Sequence, residues 1–188
     1  ANANAIQVLG DMRAASLQLV GNSAGRVQAT EGLAAANSFS QGSEGQVEGV
    51  QALVAANTAV STQADQGSTA LANSVQADGS LQGSSVQVVA NQGSARAAGR
   101  DGLANSVRAQ SRGRIAGSNV TVTANQGSAQ QGTANSVDVA GTLQGGSITI
   151  LGNQGSAQGG GVINSVAGKG RISGSQVTII GNAGSANG

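Results

Sequence analysis

The chain has 188 residues, 31 of them Gly, with no Pro, Cys or His, and Phe39 is its only aromatic residue. Charged residues make up 9%, far below the roughly 25% of ordinary soluble domains. Without Cys there are no disulfides or thiolate metal sites; without His the commonest general base and metal ligand are missing; without Pro a collagen or polyproline stalk is excluded. Much of the 38% hydrophobic fraction is Ala, too little bulk for one conventional core, so the chain is either disordered or a repeat protein.

Two patterns alternate along it. The first is an Asn followed by small or apolar residues at every second position. It starts at Asn4 (Ile6, Val8, Gly10, Met12) and recurs in its weakest form at Asn37 (Phe39, Gln41, Ser43, Gly45, Val47). It returns at Asn73 (Val75, Ala77, Gly79, Leu81) and at Asn105 (Val107, Ala109), where Ile115 arrives two residues late. Asn135 (Val137, Val139, Gly141, Leu143) and Asn164 (Val166, Gly168, Gly170, Ile172) complete the set. The second pattern ends in Asn, at Asn22, Asn57, Asn91, Asn125, Asn153 and Asn182. Its fullest copy reads Val120-Thr121-Val122-Thr123-Ala124-Asn125, and Ala52 to Asn57 is degenerate. A tail of Gln-Gly-Ser-Ala follows at 92–95, 126–129 and 154–157.

First-pattern Asn to second-pattern Asn is 18, 20, 18, 20, 18 and 18 residues. The whole unit is 29 to 36 residues, so residues 1–188 read as one domain of six imperfect repeats. A disordered chain has no reason to keep such offsets. The apolar period is two, which is strand periodicity: Val120, Val122 and Ala124 face one way, Thr121, Thr123 and Asn125 the other. The Ala-rich stretches 52–59 and 95–98 suit a helix by propensity, but they fall in register with strands of other repeats. Gly, Ser, Asn and Gln are expected at the joints.

A strand pair of this kind buries its apolar face only by stacking on its equivalents, about 4.8 Å apart. The fold expected is an all-β solenoid of stacked strand-turn-strand repeats, with nothing outside the repeats to cap its ends. The spacing leaves open whether each repeat makes one turn or two arched layers. Buried Asn is costly alone, but in a ladder each amide satisfies the next. The twelve Asn positions are therefore the candidate structural residues: Asn4, Asn37, Asn73, Asn105, Asn135 and Asn164 in one row, Asn22, Asn57, Asn91, Asn125, Asn153 and Asn182 in the other.

Catalytic constellations are not expected, nor is any cofactor or metal. A Ser–His–Asp triad is impossible without His. Lys169, the sole Lys, lies between Gly168 and Gly170 and reads as an exposed turn residue. Glu44 and Glu48 could pair for glycoside hydrolysis, but they sit in the weakest repeat and read as solvated or edge-protecting. Charge is uneven: residues 1–94 carry two basic and six acidic side chains, net −4, and residues 95–188 carry seven and two, net +5. The Arg cluster at Arg96, Arg100, Arg108, Arg112 and Arg114 could attract an anionic surface or the acidic half of another copy. Stacking recognition of nucleic acid has no aromatic support. No run of apolar residues is long enough for a transmembrane helix. The start at Ala1, without an initiator Met or a basic-then-apolar leader, is the start expected of a secreted protein after signal removal.

Gln131-Gly132-Thr133-Ala134-Asn135-Ser136-Val137, Gly102-Leu103-Ala104-Asn105-Ser106-Val107 and Gly161-Val162-Ile163-Asn164-Ser165-Val166 resemble the repeats of curli-type bacterial functional amyloids. Fap-like amyloids, with longer repeats, are the other family of this style. The resemblance spans all six copies. It implies a secreted subunit that stacks head to tail into an extracellular fibre for biofilm matrix, adhesion or surface attachment. Its partners would be identical subunits, with a nucleator or an outer-membrane secretion apparatus. The alternatives are a solenoid segment of a surface adhesin or an ice-binding solenoid. For ice binding, Thr121, Thr123, Thr149 and Thr178 make a partial array that breaks at Gln87 and Val89. A β-helix polysaccharide lyase is disfavoured by the missing His and the few acids.

Overall fold

Strands with one apolar face and two open edges find every partner they need in neighbouring repeats. In the computed structural model the repeats coil and stack in parallel register as a β-solenoid, with no helix among the described residues. The structure describes residues 1–30, 33–42, 46–64, 69–77, 79–97, 102–109, 114–159, 162–168 and 171–187. Each repeat is one coil, because every first-pattern Asn lies over the first-pattern Asn of the next repeat.

Four parallel sheets form the walls. In the fourth coil, Gly102–Ala104 lies in the first sheet, Val107–Ala109 in the second, Ile115–Thr123 in the third and Gln126–Gln130 in the fourth. Three sheets have six strands, one per coil, and the third has ten because a bend splits its strand in several coils. Gly83, at φ 56°, makes such a bend between Ser80–Gln82 and Ser85–Val89.

Register follows the sequence pattern. Val86 pairs with Val120, Val120 with Ile148 and Ile148 with Val177. Ile115 pairs with Leu81 and Leu143, so its two extra residues are taken up after Ala109. The Ala-rich stretches are strands, Gln51–Ala55, Thr58–Ala64 and Gln92–Ala97; Ala98 lies outside the described residues.

Gln-Gly-Ser-Ala was expected at a joint, yet it is the fourth wall, paired in register from Gln92 to Gln126 to Gln154. The first two coils carry an extra residue in this wall, which shifts the register between Ala59 and Thr62.

The interior has two main chambers, and a third, smaller cluster is formed by Ala35, Leu71 and Leu103 of the first sheet. Between the second and third sheets lies a core of larger side chains, including Phe39, Val107, Leu81, Ile115, Val122 and Ile150. Between the first and fourth sheets the filling is almost all Ala, including Ala36, Ala72, Ala104, Ala95 and Ala129. Small side chains let those two walls approach closely.

Candidate functional site: two asparagine ladders

The first ladder stands at the corner between the first and second sheets. Asn4, Asn37, Asn73, Asn105, Asn135 and Asn164 have φ between 47° and 51°. Asn enters this left-handed region more readily than other residues bearing a side chain. The corner aims the amide inward. Each Nδ2 donates to the Oδ1 of the next coil: 3.0 Å from Asn73 to Asn105 and 3.1 Å from Asn105 to Asn135. Each also crosses the interior to a carbonyl that opens the fourth sheet: Thr58 from Asn37, Gln92 from Asn73, Gln126 from Asn105, Gln154 from Asn135. Asn4 and Asn164 reach Ser23 and Ala183 in the same way.

The second ladder stands at the corner between the third and fourth sheets. Strict alternation puts Asn125 outside with Thr121 and Thr123, but Asn125 is buried and Ala124 is exposed. Ala124 has φ 53°, and this left-handed residue reverses the phase of alternation. Ala56 and Ala90 do the same before Asn57 and Asn91, as Gly21, Gly152 and Gly181 do before Asn22, Asn153 and Asn182. Asn125 Oδ1 accepts from Asn91 N at 2.9 Å and Asn91 Nδ2 at 3.0 Å. Its Nδ2 donates to Val88 O at 2.8 Å and Asn153 Oδ1 at 3.0 Å. Both lone pairs and both amide protons are thus used, which makes burial of the group tolerable.

The ladders are joined in every coil, since the first-ladder amide bonds the carbonyl directly following the second-ladder Asn. Spacings of 18 or 20 residues between the two Asn bring the two corners opposite each other. Gly makes room for the ladder. A Cβ on Gly127 would lie 2.5 Å from Asn135 Oδ1 and 3.0 Å from Asn105 Nδ2.

A third row escaped the sequence reading. Ser38, Ser74, Ser106 and Ser136 are buried, and each hydroxyl donates to the carbonyl two residues before it. Each Oγ also accepts the backbone N–H of the next coil's Ser. The signal was present, as Ser follows the first-pattern Asn in five of six copies.

The three described members of the Arg cluster do not form one patch. Arg108 is nearly buried, its Nε 3.1 Å from Asp138 Oδ2 in the next coil. Arg114 bonds Gln144 Oε1, and Arg96 is exposed on the fourth sheet. Arg100, Arg112, Glu44 and Lys169 lie outside the described residues. Glu48 faces Arg13 across the first two coils at 3.7 Å, an exposed pair worth little energetically. Among the described residues no group of three His, Cys, Asp or Glu side chains assembles. No helix there is long and apolar enough to cross a membrane. What the arrangement does chemically is bind peptide edge to peptide edge: it presents backbone and amide hydrogen bonds along one axis, coil after coil. The described residues of the segments carrying the curli resemblance lie at the first-ladder corner. Comparison with family models, characterised proteins and solved structures finds no match to this chain.

Proposed function

We propose that the chain is a structural rather than catalytic protein: a secreted subunit that polymerises head to tail into an extracellular fibre for biofilm matrix, adhesion or surface attachment. The observation that carries this reading is the stacking itself: coil meets coil through parallel strand edges and two Asn ladders in one register. The core rows keep that register from coil to coil, from Val86 to Val120 to Ile148 and from Val88 to Val122 to Ile150. A strand edge with apolar side chains in register is a template for another strand. The resemblance to curli-type and Fap-like repeats supports the same reading, with a nucleator or an outer-membrane secretion apparatus as further partners.

The test is electron microscopy and fibre diffraction of the purified chain. Unbranched fibres with a reflection near 4.8 Å along the long axis are expected. Strand-rich monomer that persists at high concentration would overturn the reading.

A second reading, as an ice-binding solenoid or adhesin segment, is favoured by Thr121, Thr149 and Thr178 aligned on the outer face of the third sheet. The row continues as Gln87, Leu53 and Gln18, so half of it lacks the Thr array. Thermal hysteresis in ice growth would support this reading; its absence would remove the ice-binding form.

A further inference from the structure

After its bend, the third sheet turns a charge-free face outward in every coil. This half of the sheet consists of six segments of five residues, 16–20, 51–55, 85–89, 119–123, 147–151 and 176–180, paired residue for residue. The segments contain no Asp, Glu, Lys or Arg. Their inward side chains, such as Val86, Val88, Val120 and Val122, belong to the core. Their outward side chains form straight rows along the axis. The row nearest the second Asn ladder reads Val20, Ala55, Val89, Thr123, Leu151 and Ile180, apolar at every coil but one. Beside it runs the Gln, Leu and Thr row that passes through Thr121. The face belongs to the interior coils as much as to any other. Leu53, Ala55 and Val89 are partly exposed and Leu151 is 40% exposed, although each has a paired strand on both sides. Charged side chains flank the face without entering it: Arg13 and Glu48 on the first half of the same sheet, Arg26 and Arg96 on the fourth.

We infer that through this face two stacks of the chain lie side by side, the third sheet of one against the third sheet of the other. The inference rests on the fibre reading and adds a lateral contact that stacking alone does not supply. The occupant follows first from period. The rows repeat with the strand spacing, about 4.8 Å, and a second stack of the same chain has the same spacing, so facing side chains stay in step over any length. A partner of another period drifts out of step within a few coils. Charge agrees: two such faces bring no like charges together, and no ionised group has to leave water. Area then sets when the contact forms. Five residues at about 3.3 Å and six strands at about 4.8 Å give about 475 Å² per copy, or about 950 Å² for a facing pair. Stable protein contacts bury about 1,200–2,000 Å². One chain against one chain falls short, and stacks of two or more chains pass the threshold. Lateral pairing therefore follows stacking and strengthens with its length. The same face serves both partners, so the contact is isologous and closes at two stacks.

The experiment measures the mass per unit length of fibres by scanning transmission electron microscopy, for the full chain and three variants. Fibres of the unmodified chain are expected at twice the mass per length of a single solenoid, while the chain before assembly sediments as a monomer. Val89→Glu and Thr121→Lys each place one charge per copy on the face. Both should halve the mass per length and keep the reflection near 4.8 Å. Gln126→Lys places a charge on the exposed side of the fourth sheet instead and should leave the mass per length unchanged. Unmodified fibres at the single value would overturn the pairing and leave the fibre reading intact. Doubled fibres from either face variant, or single ones from Gln126→Lys, would overturn the choice of face. If one face variant does not assemble, the other decides, and the unmodified chain tests the pairing without any substitution. A dimer of the unassembled chain would overturn the dependence on stack length. Single solenoids that show thermal hysteresis would give the face to ice and overturn the pairing. An unmodified chain that forms no fibres would overturn the fibre reading and this inference with it.

Discussion

Asn105 Nδ2 donates to the Gln126 carbonyl at 2.8 Å, on the peptide directly after Asn125 in the same coil. One side chain thus holds the first wall to the fourth and stands beside the ladder that holds the third. Asn105, at φ 49°, donates to Asn135 and accepts from Asn73. Asn105→Gly keeps the left-handed corner and loses the amide bonds, at roughly 2–4 kcal/mol. Asn105→Asp puts a carboxylate where a donor must face Gln126 O, and should cost more at neutral pH. Burial raises the folded pKa of that new carboxyl above its unfolded value, so its penalty should shrink as pH falls. Equal denaturation midpoints for both variants at all pH values would refute this.

Asn125→Leu removes four side-chain hydrogen bonds between coils. Groups in two neighbouring coils lose their partners, at about 1–3 kcal/mol each. Thr121 faces outward between buried Val120 and Val122, and Thr121→Ser should cost under about 1 kcal/mol. Denaturant midpoints compare the two; similar values would mean the Asn is only a turn former.

Gly127→Ala places a methyl group against Asn135 Oδ1 and Asn105 Nδ2, both held by the ladder. A loss of about 1–3 kcal/mol is expected, by the mechanism of overpacking. Thermal unfolding within error of the parent would show that the ladder yields.

Ala124→Gly should stabilise. Ala124 is exposed at φ 53°, a conformation costing an L-residue about 1–2 kcal/mol. Glycine's greater freedom in the unfolded chain offsets roughly 0.5–1 kcal/mol of this. A net gain up to about 1 kcal/mol should appear as a raised midpoint; a lowered one contradicts the strain argument.

Thr62 Oγ1 is buried without a hydrogen-bond partner, and Val27 occupies the paired position one coil earlier. Thr62→Val therefore exchanges an unmade bond for a methyl group of similar shape. A gain of about 1 kcal/mol is expected, measured by denaturant unfolding; a loss would mean the hydroxyl is served by water.

The period of two and the six-fold recurrence were legible because Val, Ile and Leu mark the chamber between the second and third sheets directly. The fourth wall was not, since Gln-Gly-Ser-Ala has the composition of a turn. Its Gly is there for the ladder opposite, a reason that is three-dimensional. The inward aim of Asn125 was hidden by Ala124, whose φ no alternation rule anticipates. Arg108 read as part of a cationic cluster because its partner, Asp138, is 30 residues away in sequence and one coil away in space.

Because one coil meets the next through four walls and two ladders, a pull along the axis loads all of these bonds side by side. They must fail together, and then the next set takes the strain. Interior Asn pairs are 28 to 36 residues apart, so each failure frees roughly 100 Å of extended chain. Stretched singly, the molecule should lengthen in discrete jumps, with the two shortest at the end nearest residue 187.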